Sequence, residues 1–167
     1  SQARTVSLKV LVDSEVAGRS GDWLADVQYT VDWASQIFDT YFGIELQLVG
    51  VVLWNADNTL DHAAAQAALA EHPAEGADLV LGLRGQKLDI NNSTVAPATH
   101  NRAIAVAYSS NDLRAPLLRG MLVGIGSAMG ALKTTEAGWM TTTDQLEPLQ
   151  IDTTNRQRIL ERKLLPF

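Results

Sequence analysis

Apolar and polar positions along the chain predict strands and helices in mixed order. Residues 6–12, VSLKVLV, alternate and are rich in β-branched side chains, which predicts a strand. In residues 22–42 apolar side chains recur every three or four positions, as on one buried helix face, and Gly43 fits a left-handed helix cap. Residues 44–54 alternate at first and are apolar throughout at their end, so we predict a second strand in a central position of a sheet.

The middle of the chain predicts one helix, two strands and a loop. The Ala-rich residues 60–72 favour a helix that ends before Pro73. Residues 77–83 and 104–108 are short apolar runs typical of buried strands, whereas the polar residues 86–101 predict a long surface loop. The predicted order to this point is β-α-β-α-β-β.

Two further helices are predicted in the last third of the chain. Residues 113–132 form an apolar, glycine-rich segment, and residues 152–165 begin with capping side chains before spaced apolar positions. Residues 134–150 between them show no regular pattern. Since the sequence contains no repeat, low-complexity tract or linker, we expect a single α/β domain over residues 1–167.

Composition narrows the classes of partner. A chain of 167 residues with 46% hydrophobic side chains can build one ordinary core. The net charge of −6, without a run of Lys or Arg, argues against nucleic acid and anionic membranes, which leaves a small molecule, a peptide or a protein. The longest apolar stretch, residues 121–132, is about half the roughly 20 residues of a membrane span. Zero cysteines exclude disulfides and thiolate chemistry.

The glycine-rich helix requires a physical reason for its composition. Each internal glycine costs about 1 kcal/mol relative to alanine, and tight packing of a neighbouring backbone is the simplest compensation. A dinucleotide-binding turn is disfavoured, because no clear strand precedes GIGSAMG and no βα units follow it. The four glycines are Gly120, Gly124, Gly126 and Gly130.

Residues 123–133, VGIGSAMGALK, resemble the zinc-binding helix of the metzincin metallopeptidases, whose pattern is H-E-x-x-H-x-x-G-x-x-H. Gly130 occupies the glycine position of that pattern, and FGIELQLVGVVLW, ADLVLGL and GWMTTTDQLEPLQIDTTNRQRI extend the resemblance over nearly the whole chain. It implies a zincin-like α/β (α+β) fold. Such a fold has a mixed, twisted sheet of about four to five strands, two packed helices, a buried active-site-type helix and a C-terminal helix.

The resemblance also implies that the active site is degenerate. The two helix-borne ligand positions hold Val123 and Ser127, the catalytic glutamate position holds Gly124, and the third ligand position holds Lys133. Valine cannot coordinate a metal, a neutral serine hydroxyl is a poor zinc ligand, and a lysine repels a cation. Glycine has no carboxylate to accept the proton of a metal-bound water. We therefore expect no zinc, no other cofactor and no zinc peptidase activity.

Three further positions follow from the same resemblance. Met140 corresponds to the methionine turn that supports the metal site in the family, and Gly130 and Glu136 are candidates to line the vacated cleft. Trp139 is most simply a core residue, and the resemblance makes it a further candidate for the cleft. The histidines lack metal-ligand spacing, so we interpret them as exposed polar surface; the role of His100 stays open. They are His62, His72 and His100.

These observations favour a catalytically inactive metallopeptidase-like domain, a pseudoprotease that binds a peptide or protein. In the family, substrate peptides pair with an edge strand, and residues 104–108 are the candidate edge here. Two alternatives remain open. One is a hydrolase of another type that recruits Ser127, Lys133, Glu136 or His100. The other is a structural or oligomeric subunit whose glycine stripe packs against another chain. Members of the family are often exported, so we expect an extracytoplasmic location; the oligomeric state is not predicted.

Overall fold

The computed structural model describes residues 2–18, 21–55, 62–85, 93–95, 103–108, 115–142 and 150–167. The order of its strands and helices confirms the predicted mixed α/β class. In chain order they are β1 (Arg4–Asp13), α1 (Ser14–Ala17), α2 (Trp23–Phe42), β2 (Ile44–Trp54), α3 (His62–Ala70), β3 (Leu79–Arg84), β4 (Ser93–Val95), β5 (Ala103–Tyr108), α4 (Ala115–Ala128) and α5 (Thr153–Arg162).

The strands form one sheet in the order β2-β1-β3-β5-β4. β1 pairs in parallel with β2 and β3, and β3 pairs in parallel with β5. Only β4 runs antiparallel within this described sheet, against β5. β2 and β4 are therefore the two edge strands.

Two predictions about the sheet are wrong. β2 lies at an edge and not in the centre, and its apolar end is partly open to solvent, with Leu53 68% exposed. Residues 104–108 lie inside the sheet, between β3 and β4, and not at an edge. The edge beside β5 is taken by β4, a strand of three residues within the segment predicted as a loop.

The helices are divided between the two faces of the sheet. The larger core cluster lies between the sheet and the helices α2, α4 and α5, and includes Val10 of β1 and Phe38 of α2. A smaller cluster on the other face joins Leu11 of β1 to Leu69 of α3 and Val80 of β3. β1 is thus buried on both faces, as expected for a central parallel strand.

α4 ends earlier than the predicted residue 132. Gly130 has a φ of +99°, and two hydrogen bonds close the helix end: Ala131 N–H to Gly126 O at 2.9 Å, and Gly130 N–H to Ser127 O at 3.0 Å. This pair of bonds is a Schellman motif, which satisfies the last helical carbonyls and turns the chain away from the helix axis. The beginning of the predicted helix, before Ala115, lies outside the described residues.

α5 closes the fold. The Asp152 side chain caps its first turn by accepting a hydrogen bond from the Asn155 N–H at 3.0 Å, as the capping residues predict. Arg4 in β1 donates to the carbonyl oxygens of Lys163 and Leu165 just beyond α5. Within the described part of the chain, no helix has the length and apolar character that a membrane crossing requires.

Candidate functional site

Three of the four positions assigned to the degenerate site lie in α4, namely Val123, Gly124 and Ser127, whereas Lys133 follows the helix. Val123 and Ser127 are four residues apart, so their side chains lie one above the other on the helix. Val123 and Gly124 are buried, and Ser127 is half-buried. Arg119, one turn before Val123, belongs to the same face.

Gly126 lies where neighbouring side chains approach α4 closely. A Cβ atom at this position would lie 3.4 Å from Trp139 Nε1 and 3.7 Å from Met140 Sδ. A larger side chain would displace the indole or the thioether. Packing against the segment that follows α4 therefore limits this position to small residues.

Trp139 is a buried core residue, which is the simpler of the two interpretations of its sequence. Its side chain is 0% exposed. The indole lies against three aromatic rings of α2, with centroid distances of 6.0 Å to Phe38, 6.0 Å to Tyr41 and 6.3 Å to Phe42. The aromatic residues at the C-terminal end of α2 therefore pack around the indole.

Met140 lies in a tight turn directly beside α4. The turn closes through a hydrogen bond from Thr141 N–H to Gly138 O at 3.2 Å, and Thr134 N–H donates to Met140 O at 3.1 Å. Met140 is buried, with its sulfur next to Gly126, the residue before Ser127. The structure thus places Met140 beside Gly126 of α4, and its role as a methionine turn stays a prediction.

Lys133 and Glu136 follow the glycine turn and are both exposed. The structure forms no ion pair between them, and neither shares a hydrogen bond with Ser127. Gly130, which precedes them, is half-buried beneath the Arg162 side chain. The three candidate residues for another type of hydrolase that the structure describes, Ser127, Lys133 and Glu136, are therefore not assembled into a hydrogen-bonded group.

The histidines do not join this site within the described residues. His72 is half-buried, and its Nε2 lies 3.3 Å from Lys9 Nζ, on the α3 side of the sheet and not on the face that carries α4. The prediction of an exposed surface is thus wrong for His72, because it packs against a buried lysine. His62 begins α3, and His100 lies outside the described residues.

Asn155 fixes the backbone that follows the glycine turn, a role that the sequence analysis missed. Its Oδ1 accepts from Leu132 N–H at 2.8 Å, and its Nδ2 donates to Leu132 O at 2.7 Å and to Asp152 Oδ1 at 2.9 Å. Asn155 is buried, so these bonds replace water at both groups of the Leu132 backbone. An asparagine three residues after the capping Asp152 was the signal available in the sequence.

Arg119 is the second residue that the sequence analysis did not single out. Its Nη2 donates to Thr141 O at 3.4 Å, so the guanidinium lies between α4 and the turn that contains Met140. Its Nε is buried and has no hydrogen-bond partner. Burial lowers the pKa of Arg119, since a charged group is less well solvated there. The signal available in the sequence was the position of Arg119, four residues before Val123 and therefore on the same helix face.

No metal-ligand cluster is present in the described part of the chain: it contains no group of three His, Cys, Asp or Glu side chains that could hold a metal ion. The candidate site is therefore defined by a buried helix face, a turn packed against it and one partly buried cation.

The comparisons with known proteins concern the fold. No family model and no curated protein matches the sequence. Among solved structures, metalloproteinase-II from Bacteroides fragilis is similar with a TM-score of 0.64 and 15% identity, over 96% of this chain and 56% of that one. This chain therefore has a fold similar to that of the matched part of the metalloproteinase. A chain from "Structure of a chaperone-substrate complex" is similar with a TM-score of 0.61 and 12% identity, over 80% of this chain and 24% of that one. This chain thus spans about half and about a quarter of these two neighbours.

Proposed function

We propose that this chain is a metallopeptidase-like domain that lacks zinc peptidase activity and binds an extended peptide along β4. The single observation that carries the first half is the composition of α4. The resemblance of residues 123–133 to the metzincin helix assigns its two helix-borne ligand positions to Val123 and Ser127. Zinc in such helices requires two imidazoles one turn apart on one face.

The surroundings of these positions support the loss of metal chemistry. Val123 belongs to the core cluster, so this part of the face is used for packing. Gly124 replaces the general base, and Lys133 places a positive charge at the third ligand position. Each of the four replacements disfavours a bound cation or removes the group that activates water.

The second half of the proposal rests on the sheet edge beside α4. β4 pairs with β5 on one side, and within the described residues no strand pairs with its other side. α4 packs against both β4 and β5, so this edge lies next to the candidate site. An extended peptide can add to such an edge through backbone hydrogen bonds, and this mode of binding requires no metal.

The alternative of an oligomeric subunit built on the glycine stripe finds no support. Gly120, Gly124 and Ala131 are buried within the chain, so the stripe packs inside the domain and offers little surface to another chain.

Zinc binding is the first test. The native chain is incubated with zinc, dialysed and analysed for metal content, and a mixture of quenched fluorescent peptides reports peptidase activity. We expect neither stoichiometric zinc nor cleavage. The matched variant is V123H/S127H/K133H, which restores three imidazoles and should bind Co²⁺ with the visible absorption of a tetrahedral site, provided circular dichroism shows native folding. Stoichiometric zinc in the native chain would contradict the first half of the proposal.

Peptide binding is tested with proline variants of β4. The N–H groups of Thr94 and Val95 point to opposite sides of the strand, because successive residues alternate. One of the variants T94P and V95P removes a backbone hydrogen bond to β5 and lowers stability. The other removes the backbone N–H that points away from β5, toward the proposed peptide. Fluorescence polarisation with end-blocked hexapeptides should show lost binding in the variant of native stability. Undiminished binding in both variants would exclude β4 as the docking edge.

A further inference from the structure

Arg119 carries a positive charge that the described residues do not balance. A guanidinium has five N–H donors, and at Arg119 only Nη2 has a partner, the Thr141 carbonyl oxygen at 3.4 Å. That distance is longer than a usual N–H···O hydrogen bond. Nε is buried without a partner, and no acidic side chain forms an ion pair with this arginine in the described part of the chain.

This arrangement is unusual for an arginine that only supports the fold. Buried donors in proteins nearly always have partners, and exceptions often mark a place where a ligand or water binds. Burial lowers the pKa of Arg119, but an arginine keeps its proton in proteins, so the positive charge persists. The fold therefore holds a half-buried cation whose Nε–H has no partner within the described residues.

The position of Arg119 connects it to the candidate site. It lies one helical turn before Val123 and two turns before Ser127 on the same face of α4. Its partner Thr141 directly follows Met140, so the guanidinium lies between α4 and the methionine-containing turn. A ligand group that approaches between α4 and this turn from the side of the half-buried Ser127 would meet the unpaired N–H donors of Arg119.

We propose that Arg119 is a binding residue for a carboxylate, supplied by an acidic side chain of the bound peptide. The planar guanidinium fork matches the two oxygens of a carboxylate and binds them through paired, charge-assisted hydrogen bonds. One arginine can neutralise a single negative charge. The protein's own net charge of −6 would repel a more highly charged anion more strongly. That a peptide supplies the carboxylate rests on the proposed function. That Arg119 binds a carboxylate does not depend on it.

The test uses one probe for the site and one for the peptide. The Arg119 Nε–H resonance is assigned by its loss in R119K, and the native chain is then titrated with sodium acetate against sodium chloride at constant ionic strength. In parallel, two end-blocked peptides that differ only in Glu against Gln are compared by fluorescence polarisation. We expect a saturable acetate-dependent shift of the resonance and about tenfold tighter binding of the Glu peptide.

Variants assign the effect to Arg119. R119Q should remove the difference between the two peptides, whereas R158Q, which removes one positive charge from the exposed side of α5, should retain it. R119K keeps the charge but loses the fork, so most of the preference for Glu should disappear. The acetate titration needs only the native chain, so the site can be tested even if R119Q folds poorly.

The outcomes separate this inference from the proposed function. Equal affinity for both peptides, with a resonance that acetate leaves unchanged, overturns the carboxylate site and leaves peptide binding standing. An acetate-dependent shift without binding of either peptide supports the site and contradicts the peptide as its ligand. If acetate, the Glu peptide and the Gln peptide all leave the resonance unchanged, Arg119 has no carboxylate to bind and the inference fails.

Discussion

The two large helices, α2 and α4, end in the same way but are built on different principles. Both are followed by a glycine of positive φ, +65° at Gly43 and +99° at Gly130. In both cases a basic side chain from the end of α5 covers the glycine, Lys163 at Gly43 and Arg162 at Gly130. One short helix therefore closes two helix ends.

The helices differ in how their sides are buried. In α2 the buried residues recur every three or four positions, so its apolar face can be recognised from the spacing alone. α4 is buried from Leu117 to Gly126 except for the half-buried Arg119, and its glycines admit close neighbours such as Trp139. The comparison shows that periodicity specifies α2, whereas α4 depends on contacts with segments distant in sequence.

The largest effect is expected where the two helices are joined. Trp139 contacts the aromatic rings of α2 and lies over Gly126 of α4. W139A should lower the free energy of unfolding by about 3 to 5 kcal/mol, as measured by urea denaturation. W139F should lose much less, since ring packing remains and the buried indole N–H has no partner in the described structure. Equal losses in both variants would show that the indole does not join the helices by packing.

The next effect concerns the backbone after α4. N155A removes the side-chain partners of the Leu132 N–H and carbonyl oxygen, and each lost hydrogen bond costs about 0.5 to 1.5 kcal/mol. We expect lower stability and faster hydrogen exchange at the Leu132 amide. Q157A is the matched control, because it removes an amide that bonds only to Glu161 on the exposed side of α5. If both variants lose the same stability, the Asn155 contact does not fix this segment.

The helix caps themselves give a direct comparison. Alanine at a positive φ costs about 1 to 2 kcal/mol, so G43A and G130A should both destabilise. G130A should lose more, because its Cβ would collide with Arg162, whereas at Gly43 the flexible end of Lys163 can move. A double-mutant cycle with R162A should recover part of the G130A loss. A larger loss for G43A would reverse our account of the two caps.

The smallest effect is expected at Gly126, which has a helical conformation. Alanine gains about 1 kcal/mol of helix propensity, and its Cβ would lie 3.4 Å from Trp139 Nε1, a tight but tolerable contact. The two terms nearly cancel, so thermal denaturation of G126A should show a small change. A loss as large as that of G130A would mean that the indole cannot move.

The elements with regular patterns could be predicted from the sequence, and their places in the sheet could not. α2 and α5 carry spaced apolar residues and caps that act locally, so both were predicted close to their observed bounds. The position of β2 depends on which strands pair, and its apolar end predicted a central strand although it is an edge. β4 has three residues in a polar segment, too few to show alternation.

The candidate site shows the same division. The composition of α4 and its turn could be described from residues 123–133, because helix spacing places side chains on faces. The surroundings of Trp139 could not be predicted from the sequence, because they depend on α2, about 100 residues earlier in the chain. Arg119 was visible as a residue, but its unpaired donors appear only when Thr141 and the core are in place.

The position of α5 in the chain has a consequence for biosynthesis. The ribosome makes α5 after every element that it closes, so a nascent chain that ends before residue 152 has neither the Leu132 clamp nor the covers over Gly43 and Gly130. Arg4, in the first strand of this domain, must also wait for the carbonyl groups of Lys163 and Leu165. Completion of this fold is therefore expected only after α5 has left the ribosomal tunnel, and until then apolar surface is available to chaperones.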